Sequence, residues 1–260
     1  MSGSQRVVVT GAGGGIGAAL ARRFAADGAR VVVNDLNPAA AEAVATEIGG
    51  LAVPGDAANE ADTQRLVDTA WAELGGIDLF CANAGILTAG SADAPDAAWE
   101  QAWQVNVMSH VYVARAVLPR WLENGGGRLL CTVSAAGLLT LLGSAPYSVT
   151  KHAALGFAEW LRATYAHRGI TVQALCPQGV RTDMLLGDDR DSASKAQLAA
   201  TAMDPAEVAA VVAEAVRGDS FLVLPHAEVA EYYQRRATDT DRWLAGMNKI
   251  QRSFDAAGPS

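Results

Sequence analysis

A doubly wound α/β fold, a parallel sheet of about seven strands with helices on both faces, is what this sequence predicts. Three observations carry that expectation. Short apolar runs with little alternation recur along the chain, as strands covered on both faces require. Amphipathic stretches separate them, one after each run. A glycine cluster, "TGAGGGIG" from Thr10 to Gly17, follows the first run directly and spends five glycines in eight residues.

The elements follow in order. Strand candidates are Arg6–Thr10, Arg30–Asn34, Leu51–Pro54, Ile77–Ala82, Arg128–Val133, Thr171–Cys176 and Phe221–Leu224. Helical candidates between them are Ile16–Ala26, Ala39–Ile48, Glu60–Leu74, Asp96–Leu122, Tyr147–Arg168 and Pro205–Arg217. In the first helix Leu20 and Phe24 stand one turn apart. Asp204-Pro205-Ala206-Glu207 reads as a helix start: Asp at the cap, Pro at the first position, Glu three after the cap. Gly28, Gly49-Gly50, Gly75-Gly76 and Gly169 punctuate helix ends. Met184–Met203 is polar and irregular, and is expected to be a substrate lid. Residues 227–252 are expected to form a C-terminal helical segment. No linker or low-complexity tract interrupts the chain, so residues 1–260 are expected to form a single domain.

Composition narrows the function. The chain has 260 residues, half of them hydrophobic, with 20 basic and 28 acidic side chains and a net charge of −8. A nucleic-acid binder should carry a basic stripe, and none is present. No apolar run reaches the ~18 residues of a membrane span. The start, Met1 to Gln5, lacks the charged and apolar regions of a secretory signal. Cys81, Cys131 and Cys176 are odd in number and read as reduced, buried thiols, so a cytoplasmic location is expected. His110, His152, His167 and His226 show no metal-ligand spacing, and no metal is expected.

Strand, glycine-rich turn and helix in that order make a site for a pyrophosphate, because a helix N-terminus offers free N–H groups and a positive dipole end. Side chains at Gly11, Gly15 or Gly17 would block the turn, the phosphate or the helix–strand contact. The next strand ends at Asp35, 18 residues past Gly17. A carboxylate there suits the ribose hydroxyls of NAD and repels the 2′-phosphate of NADP. Leu36 and Asn37 are uncharged and do not offset it. Tyr147 and Lys151 are four apart at a helix start, hence on one face. A lysine cation favours the phenolate and draws the tyrosine pKa down from about 10. Ser134 follows a strand and stands at its C-terminal edge, where ligands bind in such sheets.

With these residues in view, the sequence resembles a classical short-chain dehydrogenase/reductase over nearly its whole length. The matching stretches are Thr10–Gly17, "GDA" (Gly55–Ala57), "CANAG" (Cys81–Gly85), "VNV" (Val105–Val107), "VSAAG" (Val133–Gly137), "YSVTK" (Tyr147–Lys151) and "CPQGVRT" (Cys176–Thr182). The serine and tyrosine are 13 apart, as in that family. The resemblance implies a single-domain Rossmann fold and, by position, a set of roles. Tyr147 is implied as acid/base, Ser134 as the anchor of the substrate oxygen, and Lys151 as the group that binds nicotinamide ribose and lowers the tyrosine pKa. Asn106 is implied to hold a water linking Lys151 to solvent. Cofactor contacts are implied for Gly11, Gly15, Ile16, Gly17, Asp35, Leu36, Asp56, Ala57, Asn83, Gly85, Tyr147, Lys151, Val180 and Thr182.

Two departures stand out. Ala82 replaces the first Asn of the usual "NNAG", and Gln178 interrupts the usual Pro-Gly after the sixth strand. Gln178, with Ser144, is a candidate substrate contact. The "LLTLLG" run from Leu138 to Gly143 favours a hydrophobic alcohol or ketone, and the acidic stretch near Asp188 opposes a strongly anionic one. The resemblance also implies a homotetramer, with a homodimer as the alternative, through outer positions of the two long helices such as Val111, Val113, Phe157 and Trp160. The leading expectation is an NAD-dependent dehydrogenase of a secondary alcohol, or reductase of its ketone. Alternatives are an NADPH-dependent carbonyl or 3-oxoacyl-thioester reductase and a catalytically silent nucleotide-binding regulator.

Overall fold

The computed structural model describes residues 4–187 and 198–256. Seven strands form one parallel sheet: β1 Arg6–Val9, β2 Arg30–Val33, β3 Leu51–Ala52, β4 Leu79–Ala82, β5 Gly127–Thr132, β6 Ile170–Leu175 and β7 Leu222–Val223. Their spatial order is β3-β2-β1-β4-β5-β6-β7, so the chain winds outward from β1 in one direction and then from β4 in the other. The crevice between β1 and β4 is the switch point at which open sheets of this kind bind ligands. The predicted strands are all present; five are shorter than expected, while β5 and β6 keep six residues and begin one residue earlier. The third keeps only Leu51–Ala52, at an edge and just before Pro54, which has no N–H to give a ladder.

The strands' side chains divide between two cores. Val7, Val9, Val31 and Val33 face one side, against Leu20 and Phe24 of α1 (Gly15–Ala26), Val44 of α2 (Pro38–Ile48) and Val212. Val8, Val32 and Phe80 face the other, against Leu66 of α3 (Glu60–Leu74), Trp121 and Leu161. This period of two inside continuously apolar strands is the signature of a sheet covered on both faces. Trp121 is fully packed and its Nε1 donates to Ile77 O at 2.7 Å.

The predicted helix Asp96–Leu122 is three pieces: α4 (Asp96–Trp103), a π-helical turn (Gln104–Met108) and α5 (Ser109–Glu123). A π turn carries one extra residue and is common at functional sites. Here it contains Asn106. After β5 come α6 (Ala136–Leu139) and α7 (Ala145–Tyr165), then, beyond β6, α8 (Asp183–Leu186) and α9 (Pro205–Ala215). The α9 start has the expected capping box: Asp204 Oδ1 accepts from Ala206 N at 2.9 Å, and Glu207 Oε2 from Asp204 N at 2.8 Å.

The C-terminal segment is two helices rather than one, α10 (Glu228–Thr238) and α11 (Thr240–Ala256). Asp239 breaks it: its carboxylate accepts from Arg242 N at 3.0 Å, as a helix N-cap does. Val113, expected on an outer face, is buried in the core instead. Of the expected lid, residues 188–197 lie outside the described residues. Among the described residues, no helix is long and apolar enough to cross a membrane.

Candidate active site

The turn between β1 and α1 is built for a large anion. Gly11 and Gly15 have φ of 60° and 51°, in the left-handed region where a side chain is strained. A Cβ at Gly17 would lie 2.1 Å from Gly11 O, so only glycine lets the helix sit against the turn. The cap residue Gly14 is extended and, among the described residues, no side chain caps α1, which leaves its first N–H groups for a ligand. Thr182 closes this end, its Cγ2 3.0 Å from where a Cβ on Gly15 would stand. These features fit a dinucleotide pyrophosphate.

Asp35, at the end of β2, accepts from Gly13 N through Oδ2 and from Asn37 N through Oδ1, both at 2.9 Å. The carboxylate is thereby fixed beside the glycine turn and keeps lone pairs for hydroxyl donors. Asn83 does not point a free amide at a sugar. Its Nδ2 donates to Thr10 O at 3.1 Å and its Oδ1 accepts from Thr132 Oγ1 at 3.0 Å, which ties β1, β4 and β5 together.

Tyr147 and Lys151 project one turn apart from the start of α7, with Lys151 Nζ 5.6 Å from the Tyr147 ring centroid. Lys151 is buried and donates to Thr132 O at 3.0 Å. Tyr147 is hydrogen-bonded to Ser134, and the Ala136 N–H, donating to Ser134 Oγ at 3.1 Å, fixes that hydroxyl. The electrostatics differ from expectation. Burial pushes the Tyr147 phenol above its ordinary value, the Ser134 hydrogen bond pulling the other way. Burial also pushes the Lys151 ammonium down to about 8. In the protein alone, desolvation of each group outweighs the attraction expected between ammonium and phenolate.

One cleft joins these parts. Its volume is about 1440 Å³, above the roughly 300–1,000 Å³ of a single-ligand pocket, so it has room for a dinucleotide and a second molecule. Its wall holds Gly11, Gly15, Ile16, Asp35, Asn83, Gly85, Ser134, Tyr147, Lys151, Gln178, Val180 and Thr182 together.

Other expected residues lie elsewhere. Leu36, Asp56 and Ala57 are not on this wall; Asp56 Oδ1 accepts from Ala58 N at 2.8 Å in a local turn. Ser144, expected to meet substrate, is the buried cap residue of α7, in a bridge with Gly90. Its place is set by the helix start, which the sequence alone did not distinguish from the pocket edge. Gln178 is on the wall, its N–H donating to His226 Nδ1 at 3.1 Å. Asn106 is fully buried behind the wall: Ile86 N donates to its Oδ1 at 2.9 Å, and its Nδ2 donates to Ile86 O at 3.0 Å and to Thr150 Oγ1 at 3.1 Å.

Sequence reasoning missed Thr132 and His226. Both act through partners far along the chain, and only Thr132's place two residues before Ser134 was a signal. Thr140, with φ 76°, is the described non-glycine residue with positive φ, and it turns the apolar Leu139–Leu142 stretch along the cleft. Opposite, Trp243, Met247, Ile250 and Phe254 line the cleft from one stripe of α11. The thiols of Cys81, Cys131 and Cys176 are free, buried and pushed upward by burial.

Comparisons with known proteins bear on the family and the fold. The short chain dehydrogenase family model matches residues 5–193. A relative from Streptomyces exfoliatus, 1-deoxy-11-beta-hydroxypentalenate dehydrogenase, is 38% identical over 238 residues, 86% of this chain and 84% of that one. A short chain dehydrogenase/reductase from Burkholderia phymatum, solved with NAD, superposes with a TM-score of 0.84 at 25% identity, covering 92% of this chain and 94% of its own. A single-substitution variant of actinorhodin polyketide ketoreductase, solved with NADPH, gives 0.79 at 26% identity, covering 87% and 97%.

Proposed function

Since the chain belongs to the short chain dehydrogenase family, and is thereby an oxidoreductase of hydroxyl or keto groups, we propose that it is an NAD-dependent dehydrogenase of a bulky, apolar secondary alcohol, working also in reverse on the ketone. One observation carries the reading. Ser134, Tyr147 and Lys151 stand on the wall of the same cleft as the glycine turn and Asp35.

On this proposal the Gly11–Gly17 turn holds the pyrophosphate, Asp35 the adenosine ribose hydroxyls, and Val180 and Thr182 the carboxamide. The nicotinamide, when bound, supplies the hydride acceptor. Ser134 holds the carbinol oxygen. Tyr147 Oη, bonded to Ser134, takes the carbinol proton as general base. Lys151, anchored on Thr132 O, stabilises the phenolate and holds the nicotinamide ribose. Asn106, through Thr150 and the backbone at Ile86, keeps the turn before α5 in place and holds a water that links Lys151 to solvent. Leu139, Leu141, Leu142, Trp243, Met247 and Ile250 give the substrate end an apolar lining. The relative's name, which specifies a hydroxypentalenate, supports a hydroxyl-bearing substrate.

NAD rather than NADP rests on Asp35. Solved neighbours hold one or the other, so the decision falls to this chain's own residue at the end of β2. Initial rates over a panel of bulky secondary alcohols test it. NAD is expected to outperform NADP by roughly 10–100-fold in kcat/KM, the value of about 1.5–3 kcal/mol of charged hydrogen bonding. Asp35→Arg is expected to reverse the preference. Faster turnover with NADP by the unaltered protein overturns the cofactor assignment. Tight NAD binding without oxidation of any alcohol points instead to a silent nucleotide-binding regulator.

The proposal extends to setting. Free, buried thiols support a reducing compartment, the cytoplasm. Trp160, 55% exposed and stacked on Phe157 at 6.4 Å, supports a homotetramer through the outer face of α7.

A further inference from the structure

His110 is a buried titratable group that the proposed mechanism leaves unused. It is the second residue of α5, four positions after Asn106, so the two lie on one face at the π turn. Its side chain is fully buried, and among the described residues neither Nδ1 nor Nε2 has a hydrogen-bond partner. Buried imidazoles are almost always bonded through at least one nitrogen, so this one calls for a partner.

The surroundings point to where. A methyl group placed on Gly85 would lie 3.3 Å from both Asn106 Oδ1 and Lys151 Nζ, so amide and ammonium border one small space. Lys151 has three N–H donors and spends one on Thr132 O. Among the described residues Lys151 is the charged group that acts on His110. The Cys131 thiol on β5 also feels Lys151, and it is held neutral by burial.

We propose that His110 is a positioning residue: its neutral imidazole and the Lys151 ammonium share one buried water, which fixes Nζ for its work on Tyr147. The proposal rests on the reading of Lys151 as Tyr147's partner. A water in such a space needs two to four polar partners. The imidazole acceptor nitrogen, the ammonium and the Asn106 carbonyl oxygen supply them. The imidazole stays neutral throughout, since burial and the Lys151 charge push its pKa down to about 3. It therefore orients a donor without adding a second positive charge beside Lys151. This places a side chain in the network behind the cleft that the serine–tyrosine–lysine motif does not contain.

Two readouts test it. The first needs no turnover. In ¹⁵N-histidine-labelled protein, the imidazole of His110 is followed by NMR from pH 5 to 9. One protonated and one hydrogen-bonded unprotonated ring nitrogen are expected, with the unprotonated signal moving when Lys151→Met is introduced. An unprotonated nitrogen with the shift of a free lone pair, indifferent to Lys151→Met, overturns the proposal.

The second readout is the pH profile of alcohol oxidation. His110→Phe fills the site without a nitrogen. It is expected to lower kcat about tenfold and move the acidic limb upward by about one pH unit, with the alcohol KM unchanged. His110→Gln, which keeps a donor and an acceptor, is expected to restore most of both. A profile unmoved in His110→Phe, or equal losses in both variants with only a lower Tm, assigns His110 to packing and overturns the proposal. If the wild-type protein oxidises no alcohol, the reading of the site fails, and the NMR arm still decides on His110.

Discussion

Lys151 shows how one residue's environment sets measurable chemistry. Its ammonium is buried, and its pKa falls to about 8 from the ordinary ~10.4. A base whose folded pKa lies below its unfolded value binds fewer protons when folded, so stability rises with pH between the two values. The cofactor-free protein is therefore expected to gain stability from about pH 8 to about pH 10, read as a rising denaturation midpoint. Lys151→Met is expected to flatten that rise; an unchanged slope contradicts the burial. Tyr147, pushed upward, holds its proton longer when folded and takes stability away above pH 10.

At this scale the sequence was most legible where a residue type and a spacing state the chemistry by themselves. Asp35, Ser134, Tyr147 and Lys151 were found that way and share one cleft wall. The raised tyrosine pKa was not legible: the lysine four residues on points to a lowered one, and the direction depends on how much water the fold excludes. Thr132, His110 and His226 were hidden for a related reason. Each matters through a tertiary partner, and no local pattern marks a carbonyl that will accept from a lysine 19 residues on.

Among the elements, α11 is the one that the proposed function ties most directly to specificity. It contains no fully buried residue, yet Trp243, Met247, Ile250 and Phe254 line the cleft from one helical stripe. Trp243 holds it to Tyr232 of α10, ring centroids 6.2 Å apart. An apolar stripe that covers a cleft more than a core should matter to substrate more than to folding. Met247→Asp or Ile250→Asp is expected to raise KM for an apolar alcohol about tenfold, the loss of about 1.5 kcal/mol of apolar burial. Tm should move little. An unchanged KM, or a collapse in Tm, places the stripe outside the substrate end. The sequence's period of 3.6 found this helix but not its break at Asp239, because an aspartate serves equally on a helix face and at a cap. It likewise joined α4 to α5, since a π turn leaves the apolar periodicity almost intact.

For the whole molecule, the winding of the sheet brings distant motifs together. The chain leaves β1 toward β3 and returns to β4 on the other side, so the glycine turn after β1, the Asn83–Gly85 turn after β4 and Ser134 after β5 open into one crevice. The apolar runs and their alternation with helices made this architecture legible. The room in the cleft was not, because cavity shape depends on side chains from seven elements or more. The central claim is that Tyr147 in this crevice takes the proton of an alcohol. Steady-state turnover of Tyr147→Phe, with NADH binding followed in parallel by fluorescence, tests it most directly. The account predicts a fall in kcat of roughly 10²–10⁴-fold, the usual value of a general base, with NADH affinity within a few-fold of wild type. Turnover at the wild-type rate would contradict it.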